Sequence, residues 1–221
     1  MKMNRKKDII KMINKIAGRY SAYEVFSDWV KCTALAISNS CNLFHDKVWR
    51  DREEEYIATM KKYPVEERQM FAEMAVMLTE TFEDYVSDVL GEIYMESGMG
   101  SKAAGQFFTP FHLSKLCTSI TLPELDEREK ICINEPSCGG GGMIIAAAAV
   151  LNEKGINYQN ILEVVAQDLD WKGVYMCYVQ LSLLGISAAC VQGDTLMEPY
   201  DQIRTPKSHV LITPRKAGLL I

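Results

Sequence analysis

The sequence is poor in residues that bind metal ions and contains no close cysteine pair. Only three histidines occur among 221 residues, and the seven cysteines are scattered without a C-x-x-C spacing. An odd number of unpaired cysteines is typical of reduced thiols in the cytoplasm, where most cysteines serve as small buried apolar residues. We therefore expect neither a disulfide framework nor a metal site.

Long hydrophobic runs are also missing. The longest apolar stretch, Met143 to Leu151, is far shorter than the roughly 18 to 20 residues that cross a bilayer. The basic segment at residues 2–19 lacks the apolar core of a secretory signal. With 48% hydrophobic and 24% charged residues, the composition is typical of a globular protein. The sequence therefore predicts a water-soluble, cytoplasmic chain without membrane contact.

The chain carries a net charge of -5, and its basic residues concentrate near its two ends. Lysine and arginine there could contact phosphates of a nucleic acid. An isoelectric point near 5.3 is nevertheless not typical of a protein that binds DNA unaided. We expect these short basic segments to be solvated helix faces.

The first hundred residues have the pattern of helices. Ser21 and Glu24 fit a capping box, which predicts a helix over residues 22–40. Pro64 suits the first turn of another helix, and apolar residues at three- and four-residue spacing predict that it continues to near Gly98. The acidic residues of this segment fall mainly off the apolar stripe and are assigned to a solvated face: Glu66, Glu67, Glu73, Glu80, Glu83, Asp84 and Asp88.

The second half alternates between strand-like and helix-like segments, which is typical of βαβ units and a parallel sheet. Strands are predicted at residues 130–134, 162–167, 188–192 and 209–213, and helices at 110–120, 142–154 and 170–184. The fold class is therefore α/β. We divide the chain into a helical region at residues 1–100 and a sheet domain at residues 101–221.

A glycine-rich segment follows the first predicted strand. The strand ends at Glu135, and four glycines, 139–142, lead into an alanine-rich helix. Glycines at the carboxyl end of a strand let a ligand approach the main chain closely. A phosphate-binding P-loop does not fit, because no lysine follows the glycines. A tight turn with a purely structural purpose is the alternative.

The next two predicted strands each end near an acidic residue. Asp168 closes one strand and could accept hydrogen bonds from ribose hydroxyls, and Asp194 follows the next strand and could accept from an adenine amine. Each of these residues, considered alone, could equally cap the following helix. Together with Glu135 they indicate one crevice with the shape of an adenosine.

The order of these motifs resembles the adenine-N6 DNA methyltransferases, specifically the modification subunit of type I restriction systems. Residues 105–110, GQFFTP, are similar to that family's opening signature; residues 135–142, EPSCGGGG, are similar to its glycine loop; Ala166–Asp168 and Gly193–Leu196 match two further segments. The resemblance implies S-adenosylmethionine as cofactor and a truncated Rossmann-like methyltransferase sheet. It implies these cofactor-binding residues: Gln106, Phe107, Phe108, Thr109, Pro110, Glu135, Gly139, Gly141, Asp168 and Asp194.

The sequence departs from this family at the catalytic motif. Adenine-N6 enzymes carry [ND]-P-P-[FYW] after the fourth strand, and this chain has no such segment. Thr213 and Pro214 are the nearest counterparts in position and are the candidate catalytic residues. Thr213 stands in place of the Asn or Asp of the motif, and Lys216 stands in place of its aromatic residue. These two substitutions favour a degenerate or lost catalytic site.

Only four of the family's seven strands, in its order 3-2-1-4-5-7-6, fit into the chain. By this resemblance the fourth strand lies beside the first and leaves an uncovered edge, which favours a partner chain or a homodimer unless the helical half covers it.

The resemblance implies methyl transfer to adenine N6 in DNA. It also implies that the chain is incomplete alone and binds DNA through a complex with a specificity or completing subunit. The alternatives are a catalytically inactive module that binds S-adenosylmethionine or a partner, and one half of a split methyltransferase. A dinucleotide-dependent oxidoreductase has the least support, because Ile144 replaces the last glycine of G-x-G-x-x-G.

Overall fold

The computed structural model describes residues 5–99, 108–122, 130–200 and 208–219. Helices precede the sheet along the chain: α1 (Arg5–Ile16), α2 (Ala22–Cys41), α3 (Lys47–Met60), α4 (Val65–Asp84), α5 (Val89–Glu96) and α6 (Phe111–Thr121). Strands and helices then alternate: β1 (Ile131–Glu135), α7 (Gly142–Glu153), α8 (Tyr158–Ile161), β2 (Leu162–Asp168), α9 (Trp171–Leu183), β3 (Ser187–Gln192) and β4 (Val210–Ile212). The sequence pattern had given no bounds for α1 or α3, which lie in the segment expected to be helical, and had not predicted α8.

Helix α2 begins at the predicted capping box. The Ser21 hydroxyl accepts a hydrogen bond from the Glu24 amide at 3.2 Å, and the Glu24 carboxylate accepts one from the Ser21 amide at 2.9 Å. These two bonds satisfy amides that a helix start otherwise leaves unpaired. The prediction of a helix over residues 22–40 is thereby confirmed. On the buried side of α2, the indole of Trp29 donates to the Phe71 carbonyl of α4 at 3.1 Å.

The prediction of one long helix from Pro64 to Gly98 is wrong. Helix α4 ends at Asp84, Tyr85 is extended, and α5 starts after Asp88. The Asp88 side chain accepts a hydrogen bond from the Gly91 amide at 3.0 Å, so it caps a new helix instead of lying on a solvated face. Only 4% of Asp88 is exposed. The apolar spacing continues across the break, which explains why periodicity alone did not reveal it.

The four predicted strands are confirmed and form one sheet in the order β1-β2-β3-β4. Strands β1, β2 and β3 are parallel, and Glu135 pairs with Ala166 while Asp168 pairs with Gln192. The carboxyl ends of these strands therefore lie at one edge of the sheet. Helix α9 packs between this sheet and α2, and most of its residues are buried.

The expected place of the fourth strand beside the first is wrong. Strand β4 runs antiparallel to β3, with Ile212 opposite Ala189. Thr213 extends this pairing, because its amide donates to the Ala188 carbonyl at 3.0 Å and its hydroxyl accepts from the Ala188 amide at 2.9 Å. Among the described residues, no strand pairs with the outer edge of β1.

None of the described helices combines the length and apolar character needed to cross a bilayer.

Arg52 of α3 joins the helical region to β4. Its guanidinium donates to the carbonyls of Val210 at 2.8 Å and Ser208 at 3.2 Å, and to the Ser38 hydroxyl at 2.7 Å. We expect Arg52→Ala to lower the free energy of unfolding by about 1–3 kcal/mol, because these acceptors lose a charged donor. Hydrogen exchange at residues 210–212 should accelerate. Arg50→Ala, an exposed residue of the same helix, is the control, and equal exchange in both variants would contradict the role of Arg52.

Candidate functional site

The glycine loop connects β1 to α7 in a conformation that requires glycine at two positions. Gly139 and Gly141 have φ angles of 49° and 89°, which disfavour residues with a side chain. A Cβ atom at Gly139 would lie 3.0 Å from the Phe108 ring, and one at Gly141 would lie 2.9 Å from the Cys177 sulfur. The loop is therefore packed tightly against its neighbours.

Asp168 holds this loop from the end of β2. Its Oδ2 accepts a hydrogen bond from the Gly139 amide at 2.8 Å, and its Oδ1 accepts from the Asp170 amide at 2.9 Å. The Gln167 carbonyl accepts a hydrogen bond from the Cys138 amide at 2.9 Å, which also holds the start of the glycine loop against the end of β2. Each carboxylate oxygen has a further lone pair, so Asp168 can still accept from two neighbouring hydroxyls.

A cavity of about 310 Å³ lies over the glycine loop at the carboxyl edge of the sheet. Five of the predicted cofactor-binding residues line it together: Phe108, Thr109, Glu135, Gly139 and Asp168. The structure thus brings the ends of β1 and β2 and the segment before α6 into one site, without the end of β3 that the order of motifs had included.

The other predicted cofactor-binding residues have different places. Pro110 is the N-cap of α6 and lines a neighbouring cavity of about 460 Å³. Gly141 is the N-cap of α7, where its left-handed conformation starts the helix. Gln106 and Phe107 lie outside the described residues.

Asp194 is exposed and does not line the cavity over the glycine loop. Its carboxylate accepts from the Leu196 amide at 2.9 Å. The adjacent Thr195 donates to the Pro136 carbonyl at 2.8 Å, so this segment contacts the chain just before the glycine loop.

The two candidate catalytic residues do not reach the cavity. Because β4 is antiparallel to β3, Thr213 and Pro214 follow β4 at the edge where β3 begins, opposite the carboxyl ends of β1 to β3. Thr213 is fully buried, and its hydroxyl donates to the Ile186 carbonyl at 2.8 Å. Its observed contacts hold β4 on β3, so the structure does not bring Thr213 and Pro214 together with the predicted cofactor-binding residues that line the cavity.

Sequence reasoning missed a buried polar network that contains Asp88 and Gln180. The side-chain amide of Gln180 donates to Asp88 Oδ1 and to the Gly140 carbonyl, both at 2.8 Å, and its oxygen accepts from the Leu90 amide at 2.9 Å. This network joins α5, α9 and the glycine loop. The sequence did contain a signal, Gly91, because a glycine inside an amphipathic helix pattern often marks a close approach. In the structure, a Cβ atom at Gly91 would lie 2.1 Å from the Asp88 carboxylate.

Gly173 is another residue that the sequence analysis overlooked. It lies in α9, and a Cβ atom there would come within 3.2 to 3.3 Å of the Gly139 backbone. The absence of a side chain lets α9 pass directly behind the glycine loop. A residue inside the helix thus helps to determine the position of the loop.

The cavity has an acidic lining. Asp88, Glu135 and Asp168 contribute carboxyl groups, and no lysine, arginine or histidine lines it among the described residues. Burial raises the pKa of Asp88 to about 6, opposed by the hydrogen bonds from Gln180 and Gly91. Such a cavity favours a ligand that carries positive charge together with hydrogen-bond donors.

The chain was compared with protein families, curated proteins and solved structures. Residues 85–215, more than half of the chain, match the N-6 DNA Methylase family. A curated relative, the type I restriction enzyme MjaIX methylase subunit of Methanocaldococcus jannaschii, is 36% identical over 94 residues, which are 40% of this chain and 16% of the relative. A solved structure described as a class I S-adenosylmethionine-dependent methyltransferase of Listeria monocytogenes covers 83% of this chain and 51% of its own, with 11% identity and a TM-score of 0.47.

Proposed function

The chain belongs to the N-6 DNA methylase family, and from this membership we propose that it binds S-adenosylmethionine over the glycine loop for methyl transfer to adenine N6 in DNA. The observation that carries the proposal is the contact between Asp168 and Gly139, which holds a carboxylate at the glycine loop, where it would accept from the ribose hydroxyls of a bound cofactor. The family match implies S-adenosylmethionine as the cofactor.

The residues of the cavity fit this cofactor. S-adenosylmethionine carries a positive sulfonium and a positive ammonium group against one carboxylate, and the cavity is lined by three carboxyl groups. Asp168 would accept from the ribose hydroxyls, while Gly139 leaves room for the cofactor beside the main chain. Glu135 and Thr109 would contact the methionine part. When bound, the cofactor supplies a methyl group that is activated by the sulfonium.

The chain spans 16% of the length of the curated relative that it matches. We propose that DNA is bound through a complex with a specificity or completing subunit. The outer edge of β1, unpaired within the described residues, is a suitable place for a strand of another chain. A homodimer through the same edge is the alternative form of this proposal.

A second candidate function is cofactor binding without methyl transfer, either as a regulatory module or as half of a split enzyme. It is favoured by the absence of [ND]-P-P-[FYW] from the sequence and by the position of Thr213 away from the cavity. An assay of radiolabelled methyl transfer to unmethylated DNA, with and without a polypeptide that carries the missing motif, distinguishes these candidates.

Calorimetric titration with S-adenosylmethionine tests the site itself. We expect the wild-type chain to bind and Asp168→Ala to bind about 10- to 100-fold more weakly, because one charged acceptor serves two hydroxyls. Glu163→Gln is a matched control, since Glu163 lies at the opposite end of β2 and pairs with Lys216 and Ser187. The control should bind like the wild type.

Either of two results would contradict this assignment. A folded wild-type chain that does not bind the cofactor would refute binding by this chain alone. Equal affinity of Asp168→Ala and the wild type would refute the ribose contact. Thermal melting of each variant establishes that a weakened affinity does not reflect unfolding.

A further inference from the structure

Ser114 is a buried hydroxyl group that the fold leaves without a partner. It lies on α6, is 0% exposed and lines the cavity over the glycine loop. Its oxygen has no hydrogen-bond partner in the described structure. Buried polar atoms are rarely left unpaired, because desolvation without a hydrogen bond is unfavourable. A polar group of a ligand in the cavity would satisfy this hydroxyl.

Ser114 lies close to the amino end of α7. A Cβ atom built on Gly142, the first residue of α7, would be 3.9 Å from the Ser114 oxygen. The free amides of a helix start carry partial positive charge and favour negatively charged groups. A hydroxyl donor beside free amides is suited to a carboxylate.

Asp88 lies close to the same point of this helix start. Its Oδ1 accepts the bonds from Gly91 and Gln180, while Oδ2 would be 3.1 Å from a Cβ atom on Gly142. Asp88 therefore contributes negative charge at the end of the glycine loop that enters α7. Asp168 contributes negative charge at the other end, at Gly139.

We propose that Asp88 and Ser114, at the amino end of α7, receive the amino-acid end of the cofactor. Asp88 accepts a hydrogen bond from the α-ammonium group, and Ser114 donates one to the α-carboxylate. This inference rests on the proposed binding of S-adenosylmethionine. It assigns the Gly139 end of the glycine loop to the ribose, at Asp168, and the Gly142 end to the amino-acid part of the ligand, at Asp88.

The surroundings of Asp88 support this assignment. The titratable groups near Asp88 are Glu92 on its own helix and Cys177 on α9, and Glu135 and Asp168 share the cavity over the glycine loop. His112 and Lys115 of α6 line the neighbouring cavity of about 460 Å³, to which Asp88 also contributes. Among the described residues that line the cavity, none is basic. Within the cavity over the glycine loop, the ammonium group of the ligand would therefore be the cation that pairs with Asp88.

Two ligands that differ in the amino-acid group test the proposal. S-adenosylhomocysteine and 5′-methylthioadenosine both contain a neutral sulfur, and only the former has an ammonium and a carboxylate group. We expect Asp88→Asn to weaken binding of S-adenosylhomocysteine at least about 10-fold and to leave the affinity for 5′-methylthioadenosine within about 2-fold, as expected for loss of one charge-assisted hydrogen bond. Ser114→Ala should weaken only S-adenosylhomocysteine, by about 3- to 10-fold.

Asp88→Asn keeps the shape of the side chain and an oxygen that can accept from Gly91 and Gln180. Calorimetry measures the tighter ligand and ligand-observed NMR the weaker one. In the wild type the affinity for S-adenosylhomocysteine should also fall as the pH drops through about 6, because protonated Asp88 no longer pairs with an ammonium group. This step should be absent from Asp88→Asn.

The possible failures can be told apart. If Asp88→Asn weakens both ligands equally, or neither, the inference is overturned, while loss of both ligands in Asp168→Ala would still support the proposed function. If the folded wild type binds neither ligand and does not bind S-adenosylmethionine, both proposals are overturned.

Discussion

Gln180→Leu is expected to lower the free energy of unfolding by about 3–9 kcal/mol, because three buried groups lose their partners at a cost of about 1–3 kcal/mol each. These groups are the Leu90 amide, the Asp88 carboxyl and the Gly140 carbonyl. Leucine has a similar volume but offers no hydrogen bond. Urea denaturation of both proteins measures the difference.

Gln159→Leu is the matched control for this experiment. Gln159 is half-buried on α8, and its amide donates one hydrogen bond, to the Leu184 carbonyl at 2.9 Å. We expect this control to lose about 1 kcal/mol. Equal destabilisation by the two substitutions would show that the network around Gln180 contributes no more than a single half-buried hydrogen bond.

Asp88→Asn is expected to stabilise the protein at neutral pH. Burial raises the pKa of Asp88 from 3.8 to about 6, so the folded chain binds a proton more tightly than the unfolded chain. The resulting stabilisation is fully present below pH about 4 and is lost as the pH rises through about 6. Since one pKa unit corresponds to about 1.4 kcal/mol, the asparagine variant should be about 2–3 kcal/mol more stable at pH 7.5.

The same comparison at low pH tests the cause of this effect. At pH 4 the stabilities of the wild type and Asp88→Asn should agree to within about 0.5 kcal/mol, because Asp88 is then protonated in the folded chain. Other carboxyl groups titrate in both proteins and cancel in the difference. A destabilised Asp88→Asn at pH 7.5 would contradict the interpretation.

The two expected effects of Asp88→Asn have opposite consequences for the protein. The substitution should increase stability and weaken the binding of a ligand that carries an ammonium group. Binding sites commonly contain such groups, because a buried charge destabilises the free fold and is compensated by the ligand. A stability gain accompanied by a loss of affinity would therefore mark Asp88 as a binding residue.

The order of secondary structure in the second half could be predicted from the sequence because its determinants are local. Strand-like runs, glycines and helix starts recur within a few residues of one another, and the four strands and α6, α7 and α9 lie where they were expected. The glycine loop and Asp168 also follow from local order, since consecutive parallel strands end at the same edge. The capping box of α2 is another local signal.

The remaining features depend on contacts between residues that are far apart in the sequence. The helix break at Asp88 is tied to Gln180, 92 residues away, and the same periodic spacing of apolar residues fits one helix or two. The direction of β4 is decided by backbone pairing with β3, and a three-residue strand contains no local signal for parallel or antiparallel pairing.

The sequence by itself thus determined the α/β class, the positions of the strands and the residues that line the cavity over the glycine loop on the side of the sheet. Only the tertiary structure decided that Asp88 and Ser114 enter the same cavity and that Thr213 lies away from it. The physical reason is that burial and hydrogen bonding depend on which distant segments meet, whereas glycine conformation, strand alternation and helix capping depend on immediate neighbours.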